Sequence, residues 1–194
     1  MKKLILILGF FTPLLLGAQP SNWTYTIAFL KESVFYPSKY NFQAPVHPGF
    51  SLGAEVLLKE KSKTDRLLSA EVGFYHHEYL QNGIFLLGGY HFRTKDLKGF
   101  TLSTQPQLGY LHTFSPTGEF KLENGKYVEK RSGHSSAMAG VSFGIDYKII
   151  PTYKSKIFLA YRVMAEAPFA LEYGVPAIPH TFLSIGFKSK ISAK

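Results

Sequence analysis

The sharpest chemical spacing in this sequence is a serine two residues after a histidine: His134 and Ser136, in the run Gly133-His134-Ser135-Ser136. Residues two apart on a strand share a face, so His134 would be placed to take the hydroxyl proton of Ser136 and make it a nucleophile. The alternative is a plain polar strand end. Six of the seven histidines, His47, His76, His77, His112, His134 and His180, fall at one end of strand-like runs, and His91 falls elsewhere. Such a ring of imidazoles would suit a transition metal or haem, with His47, His77, His112 and His180 as rim candidates. No pair of them has a tight ligand spacing on one face, so neither metal nor cofactor is expected. A third set is Glu55, Glu71, His91, Arg93, Asp146 and Arg162, isolated charges in runs of otherwise small residues. They would either line a path for protons or ions, or lock together as a network of salt bridges.

The elements that must carry these residues alternate with period two. Phe50, Leu52, Ala54, Val56 and Leu58 oppose Ser51, Gly53, Glu55, Leu57 and Lys59. After the polar turn at 61–65, Leu68, Ala70, Val72 and Phe74 oppose Ser69, Glu71, Gly73 and Tyr75; a third run gives Ile84, Leu86, Gly88, Tyr90 and Phe92. Runs of about ten residues with one apolar and one polar face predict strands. Phe85 and Leu87 break the pattern by placing large apolar groups on the polar face. Further strands are predicted over 100–112, with Pro106 marking a bulge or a break in pairing, and over 135–148, 157–164 and 180–190. Residues 22–30 read as a first strand, with Trp23, Tyr25, Ile27 and Phe29 on one face, or as a helix, because 28–33 contains no breaker.

The count is about eight strands, and the connections alternate in length. Long ones at 31–47, 113–133 and 167–179 share one end with a short one at 78–82; tight turns near 61–65, 94–98 and 150–155 share the other. The 113–133 loop carries Asn124-Gly125 and is expected to form a small hairpin of its own. This predicts one all-β domain, an antiparallel up-and-down barrel.

Targeting sets its surroundings. Lys2-Lys3, the apolar run 4–16 and Leu16-Gly17-Ala18 form a secretory signal peptide over 1–18, leaving residues 19–194 as the mature domain. The apolar run is shorter than the roughly 20 residues of a spanning helix and is interrupted by Pro13. The absence of cysteine excludes disulfides, thiol catalysis and a lipoprotein anchor. The net charge of +9 falls to +7 without Lys2 and Lys3. An exported chain with no glycine-rich phosphate loop and no zinc signature is not expected to bind nucleic acid. The basic residues instead crowd the turn end: Lys61, Lys63, Arg66, Lys95, Lys98, Lys154, Lys156, Lys188 and Lys190. Anionic headgroups would be drawn there.

A soluble barrel and a transmembrane one share this alternation with the faces reversed, and the make-up of the polar face separates them. A solvated face is crowded with Lys and Glu. Here Gly, Ser, Thr, Ala and Gln dominate, as befits the filled interior of an eight-stranded barrel, and the opposite face is apolar with aromatics near the strand ends. Phe50, Phe74 and Tyr110 would form one girdle, and Tyr90, Phe92, Phe100, Tyr147 and Phe187 the other.

On this pattern the mature chain resembles the small outer-membrane β-barrels of Gram-negative bacteria, the OmpX/OmpW-like class. The last strand is similar in carrying Phe187 in phase but departs by running on to Lys194. His134-Ser135-Ser136 resembles the His-x-Ser element of outer-membrane lipid A deacylases, which are also eight-stranded barrels. It departs in the residues that follow, Ala137-Met138, and in having Asp146 as the nearest downstream acid. The resemblance implies a monomeric, non-enzymatic barrel in the outer membrane with a structural or cell-surface interaction role. Its expected partners are outer-membrane lipid and lipopolysaccharide, and a cell-surface or periplasmic protein. A lipid A-modifying enzyme and a narrow channel or carrier for small or apolar solutes are the alternatives.

Overall fold

A computed structural model describes residues 23–34, 45–78, 80–115, 119–123, 125–130, 133–149 and 155–190. The signal peptide expected over 1–18, the middle of the 31–47 loop and most of the 150–155 turn lie outside them. Ten strands are present in these residues: β1 (Trp23–Ser33), β2 (His47–Glu60), β3 (Thr64–His76), β4 (Asn82–Thr94), β5 (Phe100–Phe114), β6 (Glu119–Glu123), β7 (Lys126–Lys130), β8 (His134–Lys148), β9 (Ser155–Ala167) and β10 (Ile178–Lys190). Eight of them close into an antiparallel barrel in the order β1-β10-β9-β8-β5-β4-β3-β2. β1 seals it, pairing with β2 on one side and β10 on the other. The segment that reads as strand or helix is therefore strand. Closure leaves the barrel itself without an edge strand, so its wall pairs strand to strand all the way round, which a lipid setting requires.

β6 and β7 are the hairpin expected in the 113–133 loop, turning at Gly125 with φ of 76°. Pro106 interrupts the β4–β5 ladder between the pairs Gly89↔Gln107 and Phe92↔Thr104, and the register is the same on either side, so it breaks pairing without a bulge. Its missing N–H is the cause.

The faces divide as the composition requires of a membrane barrel. Phe29, Leu108 and Ile185 are 73%, 65% and 61% exposed, and Ile27, Leu52, Val72, Leu102, Phe143 and Phe187 also point outward. So broad an apolar exterior is a surface made for lipid. Girdle aromatics pair there: Phe50 with Phe74, Tyr90 with Phe92, Phe100 with Tyr147. Phe85 and Leu87, the exceptions to the alternation, are buried in the lumen. With Ala28, Leu30, Tyr75, Leu111, Met138, Met164 and Phe182 they make an apolar plug. Two glycines make room for it. A side chain on Gly73 would collide with the ring of Phe85, its cross-strand partner, and one on Gly83 with the ring of Tyr75, its own partner.

Candidate functional site

The lumen is built in three layers. At the loop end, adjacent strands bring Glu32, Glu166 and His180 together, all fully buried. His180 Nδ1 lies 2.8 Å from Glu32 Oε1 and Nε2 lies 2.9 Å from Glu166 Oε2. Carboxylates only accept, so both ring nitrogens donate and the imidazole is held as a cation between two anions. Gln81 Nε2 donates to Glu166 Oε2 at 2.9 Å and to Tyr75 Oη at 3.0 Å, and Ser136 Oγ donates to Glu166 Oε1 at 2.9 Å.

Below this lies the apolar plug, crossed by one ion pair. Arg162 Nη2 donates to Glu71 Oε2 at 2.6 Å, and its guanidinium carbon stands 5.9 Å and 5.8 Å from the ring centroids of Phe85 and Phe182.

The turn-end layer centres on Lys188. Its Nζ is 3.1 Å from Glu55 Oε1, 3.2 Å from Asp146 Oδ1 and 4.8 Å from the Phe158 ring centroid. His91 Nδ1 is 3.4 Å and Arg93 Nη1 3.9 Å from Glu55, Arg93 Nη2 also reaches Asp65 at 3.3 Å, and Lys156 donates to Thr101. A cavity of about 50 Å³ sits between this layer and Arg162, with room for a few waters. At the turn-end rim, on the face that Asp65 shares with the lumen, Lys95 bridges Glu60 and Asp65; hydrogen bonds first to Asp65 and then to Glu60 hold its pKa above the usual lysine value.

The residues singled out in the sequence fall as follows. Glu55, His91, Arg93 and Asp146 share the turn-end layer; Glu71 and Arg162 pair one layer higher. The rim histidines do not form a ring. His47 and His77 stack, with ring centroids 3.6 Å apart. His180 is inside the lumen, and His112 faces outward. No group of three or more His, Asp or Glu side chains that could hold a metal occurs among the described residues. His134 and Ser136 are not brought together: the His134 ring bonds the carbonyl of Pro168 at 3.0 Å at the exposed rim, while buried Ser136 donates to Glu166. The serine that does meet a histidine is Ser135, on the outer wall. Its Oγ is 3.2 Å from His112 Nδ1 and 2.7 Å from Tyr110 Oη.

Glu32, Glu166 and Lys188 are absent from the sequence-derived site. Lys188 was legible, being in phase with Ser184 and Gly186 on the inward face. Glu32 and Glu166 fall beyond Leu30 and Met164, where the sequence pattern ends strands that in fact run on for three more residues each.

No protein family and no curated protein sequence matches the chain. Among solved structures, Neisserial surface protein A superposes with a TM-score of 0.52 at 14% identity, covering 90% of this chain and 99% of that one. The fold is that of a small outer-membrane β-barrel. The N-terminal β-barrel domain of OprF from Pseudomonas aeruginosa (TM-score 0.47, 17% identity, 88% and 99% covered) and the outer-membrane enzyme PagL (0.48, 8%, 87% and 99%) are also similar. At these identities the likeness speaks to architecture alone.

Proposed function

We propose that this chain is exported by a cleaved signal peptide and inserts in the outer membrane as a monomer. There it serves a structural or cell-surface interaction role through its outer wall and loops, without enzymatic activity. The observation that carries this reading is the filled lumen. Three layers of paired charges and packed aromatics occupy the interior, whereas the broad exposed apolar surface lies outside. Against a transport role, the cavity beside Arg162 among the described residues is about 50 Å³, room for a few waters. The lipid A deacylase reading required His134 to activate Ser136, and their partners are Pro168 and Glu166 instead. The loop end presents exposed apolar groups suited to a partner: Tyr127 on the hairpin and Leu171 and Tyr173 in a single 3-10 turn after β9.

The test is expression with the native leader, isolation of outer membranes and comparison of gel mobility before and after boiling. The expected result is an outer-membrane protein with the leader removed and a heat-dependent mobility shift. A soluble periplasmic product would overturn the membrane reading. Planar-bilayer recordings are expected to show no ion conductance, and stepwise conductance would restore the channel. An unchanged lipid A acyl pattern is expected whether Ser136 is serine or alanine.

A further inference from the structure

Near the turn end, where β2 meets β3, the outer wall carries two cations side by side. Up to Leu57, β2 keeps strict alternation, with Val56 facing outward beside Leu68. Leu57 pairs with Leu67 and the next pair is Lys59 with Arg66, so Leu58 is an extra residue in the ladder. A bulge of this kind re-aims the side chains that follow it. Without it, Lys59 would continue the inward phase of Glu55 and Leu57. With it, Lys59 joins Arg66 on the outer wall, and Glu60 falls beside Asp65 on the lumen side. Arg66 faces outward by its own phase, two residues before Leu68, and lies beside the girdle residue Phe92 on β4.

Like charges directly opposite on neighbouring strands repel, and nothing in the wall relieves this pair. Neither Lys59 nor Arg66 has a hydrogen bond or an ion pair among the described residues. The carboxylates next to them in the chain, Glu60 and Asp65, are turned the other way and bridged by Lys95. An ammonium and a guanidinium only donate, so the partner this dyad lacks is an anion. Towards the membrane centre the same face steps down into a trough. Val56 is 5% exposed although it faces outward, and the next row is Ala54, Ala70 and Gly88, in register across β2, β3 and β4. Trp23 and Tyr25 on β1 stand beside Val56 and Ala54. On the far side Tyr90 stands beside Leu68, with its ring edge-on to Phe92. Aromatics of this kind sit at headgroup level. The wall therefore presents two unpaired cations, then an aromatic belt, then an apolar trough, which is the order of phosphate, glycerol and chain in a phospholipid.

We infer that Lys59 and Arg66 form a binding site for one anionic phospholipid. Its phosphodiester oxygens accept from the ammonium and the guanidinium, and an acyl chain lies in the trough over Val56, Ala54 and Ala70. The anion turns the repulsion between the two cations into two attractions. A zwitterionic headgroup fits less well, because its own cation would meet two more and find Glu60 and Asp65 already taken. The inference rests on the membrane reading. The leaflet, the periplasmic one, follows from the loop end facing outward.

Trp23, the chain's single tryptophan, borders the trough and reports on it. The mature barrel is folded into phosphatidylcholine vesicles in which a fixed share of the lipid is dibrominated phosphatidylglycerol or dibrominated phosphatidylcholine. Bromine quenches the indole when a labelled chain lies beside it. The glycerol lipid is expected to quench more strongly, with a relative affinity of about fivefold or more, the worth of one or two cations at a headgroup. Lys59→Gln with Arg66→Gln should abolish that preference. Lys61→Gln with Lys63→Gln, which removes the same charge from the exposed turn just beyond, should leave it in place. Equal quenching by the two lipids in the parent, a preference that survives in the Lys59/Arg66 variant, or one lost equally in the turn variant would overturn the site. The mobility shift on boiling confirms that each variant is folded. A barrel that shifts normally but shows no preference defeats this inference alone, whereas a chain that never enters the membrane defeats the reading beneath it.

Discussion

The ring of Phe85 occupies the space that a Cβ on Gly73, its cross-strand partner, would need. Both point into the lumen, and the missing side chain of one is the seat of the other. Gly73→Val is therefore expected to destabilise the barrel by about 1–3 kcal/mol through overpacking. Urea unfolding in lipid vesicles, followed by gel mobility, measures this. Gly73→Val combined with Phe85→Leu should recover part of the loss, because the two sites share one space. Full additivity of the two changes would mean that Phe85 does not fill the gap.

A second prediction concerns the cation between Glu32 and Glu166. Glu166→Ala strips His180, Gln81 and Ser136 of an acceptor at once, in a region with no access to water. A loss of about 3–5 kcal/mol is expected, the usual consequence of breaking a buried ion pair from one side. Glu166→Gln keeps an acceptor oxygen and should cost less. Similar unfolding curves for all three proteins would show that this layer does not hold the barrel.

How much of this was readable in advance follows from what each signal depends on. The strands were legible because alternation is local: Ser51, Glu55, Ser69 and Glu71 announce an inward face on their own. The inward lysine was legible by the same phase, yet Lys188 looks like a member of a basic surface until the barrel closes and sets Glu55 and Asp146 beside it. Phe85 and Leu87 could not be explained from β4 alone, since the space they fill belongs to Gly73 and to Phe182 on the far wall. The pairing of His134 with Ser136 failed for a similar reason. Spacing along one strand gives a shared face, but each side chain then takes the partner offered by its neighbours, here Pro168 and Glu166. The meeting of Ser135 with His112 depends on β5–β8 register across a long loop, which no single-strand pattern encodes.

The third prediction separates the charge of Arg162 from its shape. Arg162→Met leaves Glu71 without its partner inside the barrel, and Glu71→Leu leaves the guanidinium unpaired; each should cost more than the double replacement, which removes both charges. Arg162→Lys keeps the charge and loses the planar face between Phe85 and Phe182, with an expected cost of about 1–2 kcal/mol. Unfolding of the four variants against the parent decides it. A double variant less stable than either single one would mean that the pair contributes more than its burial costs.

The last prediction is a dependence on pH at the loop end. His77, just beyond β3, stacks on His47, and the backbone N–H of Leu80 donates to its Nδ1 at 3.2 Å. An accepted bond at Nδ1 requires the neutral ring. Burial first, then the nearby His47 and His180, pull the His77 pKa below its usual 6.5, with Glu32 opposing. A depressed histidine favours the folded contact while it is neutral. The stabilisation is therefore complete above 6.5 and is lost as pH falls and the ring is forced to charge. The Leu80 bond and the stack should loosen together. Carbon-proton NMR of His77 in detergent micelles is expected to give a midpoint below 6.5, with the Leu80 amide protection factor falling over the same range. A midpoint at or above 6.5, or Leu80 protection that ignores the titration, would show that the stacked pair does not depend on a neutral His77.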